Sequence, residues 1–228
     1  GGYALNVVCN GHLIKNLPDV EFYFEPLADD SGNSIGAAMH LYRYLSYDRA
    51  VYPITHTFIH GLPDTTKVTG SECDRLTVVE TLIEQKSVAV FNGLAESGPR
   101  ALGNRSILFD PRNPQAKNII NRIKNREWYR PFAAMILEED FQEYFETHGL
   151  TKSDFMTISF QCKCPDKIPG VVHVDNSCRV QTVSKDIPHL YNLLVEFKNY
   201  TGCPVLLNTS FNLAGEPLVD SVADEIGR

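Results

Sequence analysis

Apolar residues recur at three- and four-residue intervals in four stretches of this chain, and each predicts a helix: Ser34 to Leu45, Leu76 to Gln85, Pro114 to Arg126 and Ile187 to Tyr200. Within the third, Ile119, Ile120 and Ile123 form the expected buried stripe. Elsewhere apolar and polar positions alternate or run together, predicting strands at Glu21 to Phe24, Ser87 to Phe91, Phe132 to Leu137, Phe155 to Gln161, Val171 to Val183 and Pro204 to Leu207. Long strands interleaved with helices point to a mixed α/β and α+β architecture. The pattern breaks at Gly61-Leu62-Pro63-Asp64-Thr65-Thr66 and stays polar to Cys73, so the expected units are residues 1–65 and 73–228.

Several polar interruptions carry chemistry. Glu96-Ser97-Gly98-Pro99-Arg100-Ala101-Leu102-Gly103-Asn104-Arg105-Ser106 sets two arginines and a hydroxyl among glycines. Glycine admits close backbone approach and each guanidinium offers a planar fork of donors, so the run is either an anion site or a solvated turn. Arg126-Glu127-Trp128-Tyr129-Arg130 places two arginines around the single tryptophan, as a nucleotide-pocket wall or as a core aromatic with snorkelling arginines. If residues 173–181 are extended, His173, Asp175, Ser177, Arg179 and Gln181 share one polar face, toward a site or toward solvent. Asn208, Thr209 and Ser210 follow a buried strand, as orienters of a ligand carbonyl or phosphate or as a polar turn. His56 and His60 stand at i and i+4, but Thr57, Ile59 and the following Gly61 and Pro63 argue against the helix that a metal pair at that spacing needs.

Charge sharpens the first of these readings. The 228 residues carry a formal net charge of −7, yet eight basic residues face only two acidic ones between Arg100 and Arg130. A small phosphorylated ligand fits that local reversal, whereas a long nucleic acid meets repulsion over the rest of the surface. No apolar run approaches the roughly 20 residues of a membrane helix. Six scattered cysteines fit a reduced, cytoplasmic protein, with Cys162 and Cys164 as an isolated C-x-C pair. The chain starts Gly-Gly and stops within a helical pattern, so a fragment cut at both ends is the expectation.

Together these strings resemble the carbamoyltransferases of the NodU/CmcH/TobZ type. The matching segments are GPRALGNRS at Gly98 to Ser106, DPRNP at Asp110 to Pro114, INR at Ile120 to Arg122, REWYRPFA at Arg126 to Ala133, HVD and RVQTV between His173 and Val183, and NTSFN with GEP between Asn208 and Pro217. Gly1-Gly2-Tyr3-Ala4-Leu5-Asn6 is similar to the family's GG-x-ALN, and Asp30 to Ala38 to its D-x-G-x-x-x-GAA. Departures are Asn176-Ser177-Cys178, where relatives read Gly-Thr-Ala, and Ala134, where they often carry Pro.

The resemblance implies the end of an actin/hexokinase-like ATPase domain followed by a YrdC-like α+β domain. It implies that the YrdC-like part makes a carbamoyl-adenylate from carbamoyl phosphate and ATP, and that the actin-like part passes the carbamoyl group to a hydroxyl of a small-molecule acceptor. Arg100, Arg105, Ser106, Asn208, Thr209 and Ser210 are the expected catalytic set, with Arg130, His173 and Arg179 toward the nucleotide and Gly1 and Gly2 in its phosphate loop. Asp30 matches an aspartate ligand of a divalent metal, with iron expected there and magnesium accompanying the nucleotide. The family's metal-binding histidines fall outside this sequence, so His56 and His60 are not their counterparts. A YrdC-like module that holds nucleotide or RNA without transfer is the alternative.

Overall fold

In the computed structural model, residues 2–50, 54–61 and 73–221 are described. Gly1 and most of the expected boundary, residues 62–72, lie outside them. The chain runs α1 (Val7–Asn16), α2 (Ser31–Ser46), β1 (Phe58–His60), α3 (Arg75–Ile83), β2 (Val88–Phe91), β3 (Ala95–Glu96), β4 (Arg105–Phe109), α4 (Ala116–Ile123), β5 (Ala133–Leu137), α5 (Phe141–Tyr144), β6 (Ser159–Gln161), β7 (Ser177–Val183), α6 (Pro188–Thr201) and β8 (Val205–Ser210).

Six strands form one mixed sheet in the order β2-β4-β8-β5-β7-β6, and β1 pairs with β3 in a small second sheet. Within the large sheet β5 and β7 are parallel, and the other neighbours are antiparallel. The centre is the most apolar part: every residue of β4 and β5 is buried, and Leu206 and Leu207 of β8 are fully enclosed. Helix α6 packs on β5 and β8 through Leu190, Leu194 and Phe197, and α3 packs on α6 through Val79 and Leu82. Gly202 closes α6 at φ 72°, a left-handed conformation that glycine adopts without strain.

Register decides which side chains meet. Leu108, Asn208, Ala133, Arg179 and Ser159 pair in succession from β4 to β6, so they form one row on one face. Ala133 at the middle is small, which leaves room between Asn208 and Arg179. Ser106 pairs with Ser210 on that same face. Arg105 therefore faces the other way.

Some expectations needed revision. Glu21 to Phe24 has no strand assignment, and the rings of Phe22 and Phe24 stack on each other at 5.8 Å. The strand expected from Val171 begins only at Ser177, because residues 173–176 turn, with Asn176 at φ 61° and its N–H donating to the His173 carbonyl. His173 and Asp175 consequently lie off the strand face that carries Ser177, Arg179 and Gln181. The buried residues of α4 are Ala116, Ile120 and Asn121, and Lys124 just beyond the helix continues the Ala116–Ile120 stripe, whereas Ile123 is 44% exposed. Helix α2 buries none of its residues against the described chain. All six cysteines are free, and no described helix is long and apolar enough to cross a membrane.

Candidate active site

The sheet's polar face meets the Gly98–Asn104 loop. That loop is held by one carboxylate: Glu96 is buried, and its Oε1 accepts the N–H groups of Leu102 at 2.7 Å, Asn104 at 2.8 Å and Arg105 at 3.3 Å. The loop then returns two carbonyls to the sheet. Asn208 Nδ2 donates to Ala101 O at 3.2 Å and to Gln181 Oε1 at 3.0 Å, while Gln181 Nε2 donates to Leu102 O at 2.7 Å.

A cavity of about 250 Å³ opens beside this network, lined by Arg100, Arg126, Arg130 and Arg179 together with Asn208, Thr209, Ser210 and Met156. The four guanidinia arrive from three segments. Arg179 comes from the cross-sheet row and Arg100 from the glycine loop, where its Nη2 donates to Leu5 O at 3.2 Å. Arg126 and Arg130 come from the turn after α4. Asn121 organises that turn by donating to Trp128 O and Arg130 O and by accepting Arg126 Nε at 2.6 Å. Arg126 also lies over Phe132, at 4.4 Å.

Among the described residues no carboxylate lines this cavity, and the electrostatics follow from that. Burial, with Arg100 and Arg126 as like-charged neighbours, pushes the Arg179 guanidinium down to about 9. Burial and Arg130 push Arg126 down to about 10, and burial lowers Arg100. Glu127 pairs with Arg130 at 2.6 Å and also partly offsets the shift of Arg126; both side chains of the Arg130–Glu127 pair are about half exposed. Three buried polar atoms of the lining residues have no hydrogen-bond partner among the described residues: Nε of Arg100, Nε of Arg179 and Oδ1 of Asn208. The site therefore offers unfilled donors around a positive field and one unfilled acceptor, which suits an anion that carries an N–H.

A second cavity of about 680 Å³ shares Arg126, Arg130 and Ser210 with the first and extends past Lys124 to Gly215. Lys124 is buried; its Nζ donates to Ser210 O, to Ser210 Oγ at 3.3 Å, to Asn212 O at 2.7 Å and to Asn212 Oδ1 at 2.9 Å. Burial and Arg126 push its ammonium down to about 8. In the sequence this lysine is one of the eight basic residues between Arg100 and Arg130. Its signal was its spacing, four residues beyond Ile120 on the buried stripe.

The structure thus brings together Arg100, Arg130, Arg179, Asn208, Thr209 and Ser210 from the expected set. Arg105 is not brought to the cavity. It is 2% exposed on the opposite face of β4, its guanidinium 3.5 Å from the Phe91 ring centroid, and it donates to the carbonyls of Asn92, Gly93, Asn104 and Asp220. Ser106 is enclosed near Ser210 without lining either cavity. His173 is half-buried in the turn before β7, where burial, reinforced by Lys117 and Arg179 against Asp175, lowers its pKa. Trp128 and Tyr129 are 77% and 65% exposed, so the core-aromatic reading does not hold, and neither lines a cavity described above.

Gly2 is exposed in the turn before α1. Asp30 is exposed at the start of α2 and makes no capping bond. No group of three His, Cys, Asp or Glu converges as metal ligands among the described residues. His60 lies in β1, 3.8 Å from Asp220, and His56 stacks on Phe58.

Comparison with known proteins gives these residues a family setting. The family model described as "Carbamoyltransferase C-terminus" matches residues 79–227. The nodulation protein NolNO of Sinorhizobium fredii is 35% identical over 99% of this chain and 36% of its own length. Nodulation protein U of Rhizobium fredii is 36% identical over 98% of the chain and 39% of its length. An uncharacterised protein of Methanocaldococcus jannaschii, MJ1058, is 34% identical over 99% and 40%. The chain thus spans roughly two fifths of the relatives that it matches.

Proposed function

The chain belongs to the carbamoyltransferase family, and on that footing we propose that its arginine cavity binds carbamoyl phosphate and that the chain forms the adenylating part of an O-carbamoyltransferase. The observation that carries the reading is the juxtaposition of four guanidinia with, among the described residues, no lining carboxylate and no partner for Oδ1 of Asn208. Arg100 and Arg179 would grip phosphate oxygens, and Arg126 and Arg130 would face the second anion, ATP, from the shared wall of the larger cavity. The Asn208 oxygen would accept an N–H of the carbamoyl group. Ser210, tied to Lys124, and Thr209 orient rather than attack, since no general base stands beside either hydroxyl in the network described above.

Catalysis on this account is positioning plus charge. Two anions repel, and fixed cations in a dry pocket offset that repulsion and stabilise phosphoryl charge as the pyrophosphate departs. Atom balance requires water to release the donor's phosphate, so one phosphate and one pyrophosphate accompany each carbamoyl-adenylate. A cavity of about 250 Å³ suits this small donor better than an RNA strand.

We further propose that residues 73–228 form the YrdC-like unit and residues 1–65 the end of an actin-like unit that delivers the group to a small-molecule hydroxyl. The metal does not fit these residues alone. Asp30 is one solvent-exposed carboxylate, and its role in holding iron would need ligands from outside this chain. The test is pyrophosphate release from ATP: it should depend on carbamoyl phosphate and fall at least about 100-fold in Arg100→Met, the loss expected for a preorganised donor of developing charge. Release that ignores carbamoyl phosphate would refute the proposal.

A further inference from the structure

We propose that Gln181 is a positioning residue that fixes the polarity of the Asn208 amide and thereby selects an acyl phosphate bearing N–H over one bearing a methyl group. The inference rests on the carbamoyl phosphate reading above and names what within that site enforces it.

Two backbone carbonyls, of Leu102 and Ala101, set the polarity of this network. A backbone carbonyl can only accept, so the 2.7 Å contact at Leu102 O must come from the amide nitrogen of Gln181. That orients Gln181 Oε1 toward Asn208, and the 3.0 Å contact there must come from Asn208 Nδ2. Ala101 O, again an obligate acceptor, takes the second proton of Nδ2 at 3.2 Å. Reversing the Asn208 amide would set its oxygen against two acceptors. Its Oδ1 is therefore fixed as the acceptor end of the amide, buried and without a partner, on a residue that lines the arginine cavity.

The consequence is a difference between ligands of nearly equal size. Carbamoyl phosphate brings an NH₂ to that oxygen. Acetyl phosphate brings a methyl group, leaves the oxygen desolvated and bare, and gains nothing in exchange. Gln181 is 1% exposed and does not line the arginine cavity, so it acts through Asn208 and through the loop that it holds at Leu102 O. Replacing it by methionine keeps side-chain length and burial but removes the shorter of the two bonds that fix the amide, leaving its polarity to the 3.2 Å contact with Ala101 O alone.

The experiment is calorimetric titration of the folded chain with carbamoyl phosphate, acetyl phosphate and inorganic phosphate. The wild type should bind carbamoyl phosphate about tenfold or more tighter than acetyl phosphate, the usual scale for an unmade buried hydrogen bond. In Gln181→Met that ratio should fall to about threefold or less, while inorganic phosphate binds within about twofold of wild type, since the guanidinia are untouched. In the wild type alone, NMR should show both Asn208 side-chain amide protons protected from exchange, a readout that does not depend on the variant folding. A wild-type ratio near one, or an unchanged ratio in folded Gln181→Met, would overturn the inference and leave the anion site standing. Failure of all three ligands to bind would overturn the site itself and the inference with it.

Discussion

Replacing Arg179 by methionine removes a partly buried cation that no carboxylate of the described cavity lining neutralises. In the ligand-free protein the guanidinium sits at about 9 against an ordinary 12.5, through burial and the charges of Arg100 and Arg126. At roughly 1.4 kcal/mol per pH unit, that displacement bounds the destabilisation of the empty fold at about 5 kcal/mol. Relaxation lowers the figure. Buried ions exchanged for apolar groups of similar volume return about 1–4 kcal/mol, so we expect Arg179→Met to be about 2 kcal/mol more stable than wild type. At about 2–4 °C per kcal/mol for a chain of this size, Tm should rise by about 4–8 °C. Because the guanidinium stays protonated below about 9, this gain should be flat between pH 6 and pH 8. Phosphate should act in the opposite sense. At a hundredfold excess over Kd it stabilises the wild type by about 2.7 kcal/mol and the variant far less. Differential scanning calorimetry with and without phosphate, at matched ionic strength in chloride, reads both effects. A variant less stable than wild type that keeps the full phosphate gain would refute the reasoning.

Other parts of the account are separately testable. Arg105→Lys breaks the fan of carbonyl bonds and the stacking on Phe91, and should cost about 2–3 kcal/mol in urea titration while phosphate Kd in the folded protein stays within about twofold; a weakened Kd with unchanged stability would return Arg105 to the anion site. Lys124 titrates near 8 when folded rather than 10.5, so the folded state binds fewer protons between those values; wild-type stability should rise with pH across that window relative to Lys124→Met, and parallel curves from pH 7 to pH 10 would contradict this. Gly103 sits at φ 122° and a methyl group there would overlap Leu190, so Gly103→Ala should lower stability by about 2–4 kcal/mol, measured as the urea midpoint; an unchanged midpoint would show that the loop packs differently.

Much of the site was legible because it is local in sequence. The alternation from Ser177 to Gln181 placed Arg179 and Gln181 on one face, and the apolar run at Pro204 found the strand that carries Asn208. What failed was register and reach. Arg105 and Ser106 are adjacent in a strand, so they face opposite sides and cannot both enter one cavity; the strand Arg105–Phe109 was hidden because its first two residues read as the end of a glycine loop. The alternating pattern ran on through His173 and Asp175, where Asn176 in a left-handed conformation makes a turn that polarity alone does not reveal. Lys124 is buried by oxygens of residues 210–212, more than eighty positions away, and no local pattern names that partner.

The central claim is the pose of the donor in the arginine cavity, and a crystal structure of the chain soaked with carbamoyl phosphate tests it most directly. The account predicts phosphate oxygens within hydrogen-bond distance of Arg100 and Arg179, and the carbamoyl nitrogen donating to Asn208 Oδ1. Density for the donor elsewhere, or a carbamoyl nitrogen turned away from Asn208 with the phosphate facing the sheet, would contradict it.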